Sequence, residues 1–164
     1  MMPAKSVNAS AFREAMGRFV TGVTVVTAMT AEAGPVGITV NSFNSVSLDP
    51  PLVLFSIDRL SQQFGPLIRA RRYAVNVLGR EQEVLSRIFS LPQADRWNGV
   101  GYSETSAGSP YFPEALACFD CEAFAQHDGG DHVIFIGRVV DVIVGDPAEP
   151  LVYYRGRYNR LESA

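Results

Sequence analysis

Residues 38–57 have the sequence ITVNSFNSVSLDPPLVLFSI, with β-branched and apolar residues at both ends. Such ends predict two strands, joined here by a polar turn and a Pro-Pro corner. The middle holds more small hydroxyl and amide side chains than a chain reversal needs, namely Thr39, Asn41, Ser42, Asn44, Ser45 and Ser47. We therefore interpret it as a loop whose backbone and small polar side chains face a ligand.

The composition is that of a single folded domain. The chain has 164 residues, of which 47% are hydrophobic and 19% charged, so it can bury a core without disulfides. Its net charge of −3 and its lack of a basic tract argue against nucleic-acid binding. Its apolar runs have strand length, well below the roughly 20 residues of a membrane span, and residues 1–10 lack a signal-peptide core. We expect a cytoplasmic protein that binds neither nucleic acid nor membrane.

The rest of the chain predicts a mainly β protein with short helices. Helices are predicted at 10–19, 66–71 and 81–89, with Ser10 as the cap of the first. The predicted strands are a hairpin over 23–40 and the segments 52–57, 73–78, 119–126, 132–144 and 151–154. Gly137 is expected to mark a bulge in the longest strand. Because the helices do not alternate regularly with the strands, an antiparallel barrel is favoured over a doubly wound parallel sheet.

Common catalytic patterns are missing or incomplete. Cys118 and Cys121 form a CxxC pair, but their spacing from His127 and His132 does not match a zinc finger. Two thiols in the core are the better interpretation, and we predict no metal site. The sequence has no Walker A or GxSxG pattern, and Glu104 stands where a GxGxxG pattern would need its last glycine.

Three polar groups each allow two interpretations. His132 follows the turn at 128–131 and is either a surface histidine bonded to the turn or part of the rim of a site for a planar polar ligand. Arg59, Ser61 and Gln62 form either an exposed turn or a phosphate-binding group. The arginines and tyrosines of the tail would pack on a sheet edge or bind a nucleotide; they are Tyr153, Tyr154, Arg155, Arg157, Tyr158 and Arg160.

Five segments in collinear order resemble one known family. They are FREAMGRFVTGVTVVTA at 12–28, GITVNSFNSVSLDPPLVLFSI at 37–57, YAVNVL at 73–78, GDHVIFIGRV at 130–139 and LVYYRGRY at 151–158. Over about residues 10–160 the chain resembles the short-chain flavin reductase family, the reductase components of two-component flavin monooxygenases. The resemblance implies one flavin reductase-like domain at 10–160, an antiparallel Greek-key split β-barrel of the FMN-binding type. Residues 1–9 are expected to form a flexible arm.

The same resemblance implies an enzyme. Members of the family form homodimers, bind flavin near the subunit interface, and transfer a hydride from NADH or NADPH to FMN or FAD. The reduced flavin then diffuses to a separate monooxygenase. Because the hydride passes directly between two cofactors, no protein nucleophile is needed, which agrees with the missing catalytic patterns.

The resemblance also assigns residues to the site. The flavin ring and ribityl chain are assigned to Thr39, Val40, Asn41, Ser42, Ser45 and Ser47, and the ribityl-phosphate side to Ser56, Ile57, Asp58, Ser61 and Gln62. His132 in the GDH motif is expected near the nicotinamide. Arg157 and Tyr158 in the closing GRY motif are expected to hold the pyridine nucleotide. Arg96, next to Trp97 in the long loop 90–113, is assigned to cofactor binding by a looser match.

Two other functions remain open at this point. One is a flavoprotein that keeps FMN tightly bound and acts on another substrate, and the other is a flavin-binding module without catalysis. The sequence leaves open the choice of FMN or FAD and of NADH or NADPH.

Overall fold

One antiparallel sheet of seven strands organises the chain, whose computed structural model describes residues 7–92 and 95–161. The strands are β1 (Thr21–Gly22), β2 (Thr24–Thr30), β3 (Gly34–Val40), β4 (Asn44–Leu48), β5 (Pro51–Asp58), β6 (Arg72–Val77), β7 (Ser103–Glu104), β8 (Pro110–Tyr111), β9 (Ala117–Gly129), β10 (His132–Val144), β11 (Val152–Tyr154) and β12 (Arg157–Asn159). Strands β1, β11 and β12 form a second sheet, and β7 pairs with β8.

The large sheet has the strand order β3-β2-β6-β9-β10-β5-β4. Strands β3 and β4 follow each other in the chain but are the two edges of the sheet, so residues 41–43 cross an open seam. Ser42 fastens this crossing to β5, because its hydroxyl oxygen accepts a 2.9 Å hydrogen bond from the backbone N–H of Ser56. The predicted mainly β, antiparallel fold with a split barrel is confirmed.

The stretch 38–57 contains one strand more than the sequence predicted. Residues Asn44–Leu48, predicted as part of a loop, form β4 and pair with β5. The prediction was wrong because β4 is an edge strand with a largely exposed surface, so its residues need no apolar alternation. The predicted Pro-Pro corner follows, with a cis peptide bond between Asp49 and Pro50.

In the described part of the chain, three α-helices lie outside the sheet, at the positions predicted but with different ends. They are α1 (Ala9–Met16), α2 (Phe64–Arg69) and α3 (Glu83–Ser90), the last preceded by a short 3₁₀ turn at Arg80–Gln82. The cap of α1 is Asn8 rather than Ser10, since the Asn8 side chain accepts a 2.8 Å hydrogen bond from Ser10 N. Helix α1 ends before Gly17, and α2 begins two residues ahead of Pro66.

Two apolar clusters on opposite faces of the sheet form the core. Inside the barrel, the ring of Phe55 stacks on Phe135 with centroids 5.1 Å apart and meets Tyr73 edge-on. On the other face, Phe89 of α3 packs against Trp97 of the long loop at 4.9 Å. A buried aromatic side chain contributes roughly 1.5–3 kcal/mol, so the second cluster holds α3 firmly against the sheet.

Two further predictions concern residues of β9 and β10. The register between these strands shifts between Ile136 and Gly137, which confirms the bulge. Cys118 and Cys121 are both buried, as predicted for thiols in the core, and burial raises the pKa of each to about 12. No helix in residues 7–92 or 95–161 is long and apolar enough to cross a membrane.

Candidate functional site

A cleft of about 600 Å³ opens between the C-terminal end of β3, helix α3 and the β11–β12 hairpin. It is lined by Val23, Thr39, Val40, Asn41, Glu83, Arg87, Ser90, Tyr153, Gly156, Arg157 and Tyr158. The cleft therefore brings together three residues predicted to bind flavin, Thr39, Val40 and Asn41, and both residues predicted to hold the pyridine nucleotide. These residues come from opposite ends of the sequence.

The β11–β12 hairpin forms one wall of the cleft. Arg155 and Gly156 make the turn with φ values of 50° and 74°, a conformation that glycine adopts freely and other residues rarely do. The backbone N–H of Arg155 donates a 2.8 Å hydrogen bond to the carbonyl of Gly17, which ties the turn to the end of α1. The reversal places Arg157 and Tyr158 at the cleft.

Helix α3 forms the opposite wall and contacts both other elements. The hydroxyl of Thr39 donates a 2.7 Å hydrogen bond to the main-chain carbonyl of Ser86. The hydroxyl of Ser86 lies 2.7 Å from the hydroxyl of Tyr158. The Arg87 guanidinium lies over the Tyr158 ring, 4.8 Å from its centroid, a cation–π arrangement. The three walls are therefore joined through α3.

The charged groups of the cleft favour an anionic ligand. Glu83 accepts hydrogen bonds of 3.0 and 2.7 Å from the Nε and Nη2 atoms of Arg87, and this contact raises the pKa of Arg87. Arg157 adds a second guanidinium to the lining. Two guanidinium groups against one carboxylate leave an excess of positive charge, and guanidinium groups pair well with phosphate oxygens.

A second cleft of about 820 Å³ adjoins the first and shares Val23, Asn41, Tyr153 and Gly156 with it. The predicted residue Ser42 lines this second cleft. Its outer wall is formed by α1 and the segment that follows it, where three large apolar side chains are more than half exposed; they are Phe12 and Met16 of the helix and Phe19 beyond its end. The first cleft is thus polar and cationic, and the adjoining second cleft has an apolar wall.

The remaining residues predicted for the flavin lie along β4, β5 and the turn after β5. Ser45 and Ser47 are on the edge strand β4, and Ser56 is linked to the crossing by its hydrogen bond with Ser42. Ile57 is only 1% exposed and lies in the barrel core. The side chains of Asp58 and Ser61 accept hydrogen bonds from Leu60 N and Gln63 N, respectively. Gln62 is exposed. None of these lines either cleft.

His132 begins β10 and pairs in register with Asp58 of β5. Its Nδ1 atom lies 2.7 Å from a carboxylate oxygen of Asp131, and this hydrogen bond lowers the pKa of the Asp131 carboxyl. The neighbouring Arg59 donates to the carbonyl of Gly130, so the turn is held to the end of β5. His132 is thus half-exposed beside the turn, and it lines neither cleft.

Arg96 lies behind the cleft wall rather than on its surface. Its side chain is buried, and its Nη1 atom donates hydrogen bonds of 2.8 Å to the carbonyl of Phe89 and 3.2 Å to that of Gly37. Burial lowers the pKa of Arg96. The contacts clamp the C-terminal end of α3 to β3.

Helix α3 also contributes to the cleft, which was not predicted from the sequence. Val84 is 69% exposed although Phe89 is completely buried, so the helix buries only part of its apolar surface. A polar stripe at positions i, i+3, i+4 and i+7 could have revealed the second face; it consists of Glu83, Ser86, Arg87 and Ser90.

Comparisons with known proteins identify the family of the chain. A family model described as "Flavin reductase like domain" matches residues 16–162. FMN reductase (NADH) SmoA of Agrobacterium fabrum is 43% identical over 154 residues, which cover 94% of this chain and 87% of the relative. The reductase subunit HsaB of a flavin-dependent monooxygenase from Rhodococcus jostii is 36% identical over 159 residues, which cover 97% of this chain and 81% of the relative.

Among solved structures, an NADH:FAD oxidoreductase from Streptomyces globisporus, in complex with NAD and FAD fragments, superposes with a TM-score of 0.88. It is 34% identical, and the match covers 97% of this chain and 98% of that chain. The family model matches nearly the whole chain, and the relatives are 36–43% identical over most of their length. The chain therefore belongs to the flavin reductase like domain family.

Proposed function

We propose that this protein is an NAD(P)H:flavin oxidoreductase that transfers a hydride from NADH or NADPH to FMN or FAD and supplies the reduced flavin to a partner monooxygenase. The observation that carries the proposal is the cleft in which Thr39 and Asn41 meet Arg157 and Tyr158 in a member of the flavin reductase family. The FMN reductase (NADH) and the monooxygenase reductase subunit among the relatives support the same activity.

The groups at the cleft fit a flavin and a pyridine nucleotide. The side chain of Asn41 is exposed and offers both donors and an acceptor. The hydroxyl of Thr39 donates to Ser86 and keeps its lone pairs free to accept a hydrogen bond. The guanidinium groups of Arg87 and Arg157 suit the phosphates that both ligands carry.

In this mechanism the protein aligns its ligands and takes no covalent part. When bound, the flavin and the nicotinamide supply the hydride chemistry. Thr39, Asn41 and Ser42 would hold the flavin, and the backbone N–H groups of the same segment would stabilise the negative charge of its reduced form. Arg157 and Tyr158 would fix the pyridine nucleotide, and the apolar wall of α1 would exclude water.

His132 and the residues at the end of β5 and in the turn after it are proposed to extend the site beyond the clefts. The Ser42–Ser56 hydrogen bond joins the crossing to β5, which supports a ribityl-phosphate path toward Asp58, Ser61 and Gln62. For His132, the expected result of H132A is a KM for NADH that rises more than the KM for flavin. Values equal to those of the wild type would remove His132 from the site.

We further propose that one domain spans residues 10–160 and that it works as a homodimer. The apolar surface of α1 and the segment after it supports such an interface, since Phe12, Met16 and Phe19 are more than half exposed. Light scattering coupled to gel filtration should give twice the chain mass of 17.9 kDa. A monomer at all concentrations would contradict the dimer without affecting the proposed activity.

A steady-state assay of NADH and NADPH oxidation with added FMN or FAD tests the main proposal. We expect oxidation that depends on flavin, and no oxidation in any of the combinations would refute it. Ultrafiltration after turnover separates the proposal from a flavoprotein that keeps FMN bound, since a flavin substrate passes the membrane. A flavin-binding module would retain flavin affinity without oxidising either nucleotide.

A further inference from the structure

Ser86 lies beneath the surface of the cleft, inside the wall that α3 forms. Its side chain is completely buried in the middle of α3, with 0% exposure, and it is not among the residues that line the cleft. A serine inside a helix is less favourable than alanine, and a buried hydroxyl is costly unless it is hydrogen-bonded. The partner that satisfies it is the hydroxyl of Tyr158, 2.7 Å away on β12.

The same residue also contacts the other wall. Its main-chain carbonyl accepts the 2.7 Å hydrogen bond from the hydroxyl of Thr39 on β3. Ser86 therefore lies between a residue predicted for the flavin and one predicted for the pyridine nucleotide. One contact uses the backbone and the other uses the side chain, so a substitution can remove the second and leave the first.

Helix α3 is a rigid base for these contacts. At its C-terminal end, Arg96 clamps the carbonyls of Phe89 and Gly37, and the Phe89 ring is completely buried against β3. The β11–β12 hairpin has little strand pairing to the rest of the chain, although Tyr153 and Tyr158 pack against the second apolar cluster. Its strand pairing to the rest of the chain consists of two register pairs with β1, and its turn is held by the hydrogen bond to Gly17. Apolar packing is not directional, so the hydrogen bond between Ser86 and Tyr158 adds a contact of defined geometry between α3 and the hairpin.

We propose that Ser86 is a positioning residue for hydride transfer, which holds Tyr158 and the β11–β12 hairpin at the distance from β3 that the pyridine nucleotide requires. The proposal rests on the proposed function in assigning the hairpin to that nucleotide. Ser86 itself touches neither ligand. It acts through the phenol of Tyr158, whose ring also receives the Arg87 guanidinium.

The test combines kinetics with a measurement that needs no activity. In S86A the hairpin loses one hydrogen bond. Because one such bond changes an equilibrium constant by about three- to tenfold, the KM for NADH should rise by about that factor. The KM for flavin should stay within about twofold, since the Thr39 contact uses the backbone of residue 86. The matched control is S109A, a serine 1% exposed in the loop before β8, and it should leave both KM values unchanged.

A double-mutant cycle with Y158F shows whether the two residues act as one unit. If Ser86 works through Tyr158, the S86A/Y158F variant should be no worse than Y158F alone, because each change removes the same bond. Additive effects would overturn the proposal. A parallel rise of both KM values together with a lower melting temperature would also overturn it, since that result indicates a purely structural role.

Hydrogen exchange provides the independent measurement. Amides of residues 152–159 should exchange faster in S86A than in the wild type and in S109A, with the exchange of β9 and β10 unchanged. Unchanged exchange in the hairpin would refute the positioning role, whatever the kinetics show. If the wild type oxidises no nucleotide, the proposed function fails, and the exchange result still decides whether Ser86 holds the hairpin.

Discussion

Replacing Gly37 with alanine tests how tightly α3 is packed on β3. A Cβ atom at residue 37 would lie 2.8 Å from two ring atoms of Phe89 and 3.3 Å from the Trp97 ring. Carbon atoms pack best at about 3.5–4.0 Å, so the ring of Phe89 would have to move by nearly 1 Å. It has little room, because it is completely buried and contacts the rings of Trp97 and Phe112.

The size of the effect follows from two opposing terms. Overpacking of this kind costs about 1–3 kcal/mol, and the lower backbone entropy of the unfolded chain returns about 0.4–1 kcal/mol. We expect G37A to lose about 1–2 kcal/mol of unfolding free energy, which lowers the melting temperature by about 2–8 °C for a chain of this length.

Thermal and denaturant unfolding followed by circular dichroism would measure the loss in G37A. The matched control is G101A, where a Cβ meets no atom within 4 Å and no unusual φ is required. The control should stay within about 0.5 kcal/mol of the wild type. If G37A is as stable as G101A, the reasoning about α3 packing is wrong.

Two further predictions concern titratable groups. Because burial raises the pKa of the thiols of Cys118 and Cys121 to about 12, a thiol reagent at pH 8 should label them only as fast as the protein unfolds, and rapid labelling in native buffer would contradict their burial. The hydrogen bond from His132 lowers the pKa of Asp131, so this pair should stabilise the fold above the ordinary carboxyl pKa and lose that contribution as the pH falls through the lowered value. In a carboxyl NMR titration the Asp131 pKa should rise toward its ordinary value in H132A; an unchanged pKa would show that the bond is not formed in solution.

Much of the sheet could be predicted because its central strands are strongly patterned. Strands β2, β5 and β10 are rich in β-branched and apolar residues, and Gly137 marked its bulge correctly. Strand β4 was missed because it is an exposed edge with small polar residues. Strand β12 was missed because its three residues, Arg157–Asn159, are polar or aromatic and largely exposed, so they lack the apolar pattern that predicted β11.

Of the residues predicted for the site, those that line the cleft belong to the motifs themselves, as Thr39, Asn41 and Arg157 do. Arg96 shows why other residues were harder to place. Its partners are the carbonyls of Gly37 and Phe89, which are general backbone groups and leave no pattern in the sequence. Burial of a guanidinium by distant carbonyls depends on tertiary packing alone.

The open seam accounts for part of the polar stretch 38–57, namely Asn41 and Ser42 of the crossing. Between the edge strands β3 and β4, residues 41–43 cross where a closed barrel would have a ladder of backbone hydrogen bonds. Side chains replace part of that ladder, as when Ser42 accepts the N–H of Ser56. Sheet edges also carry backbone donors and acceptors that neighbouring strands leave unused. A flavin ring needs hydrogen-bonding groups along its polar edge. The seam leaves such groups exposed because the barrel is open there, and we propose that the flavin binds at this surface.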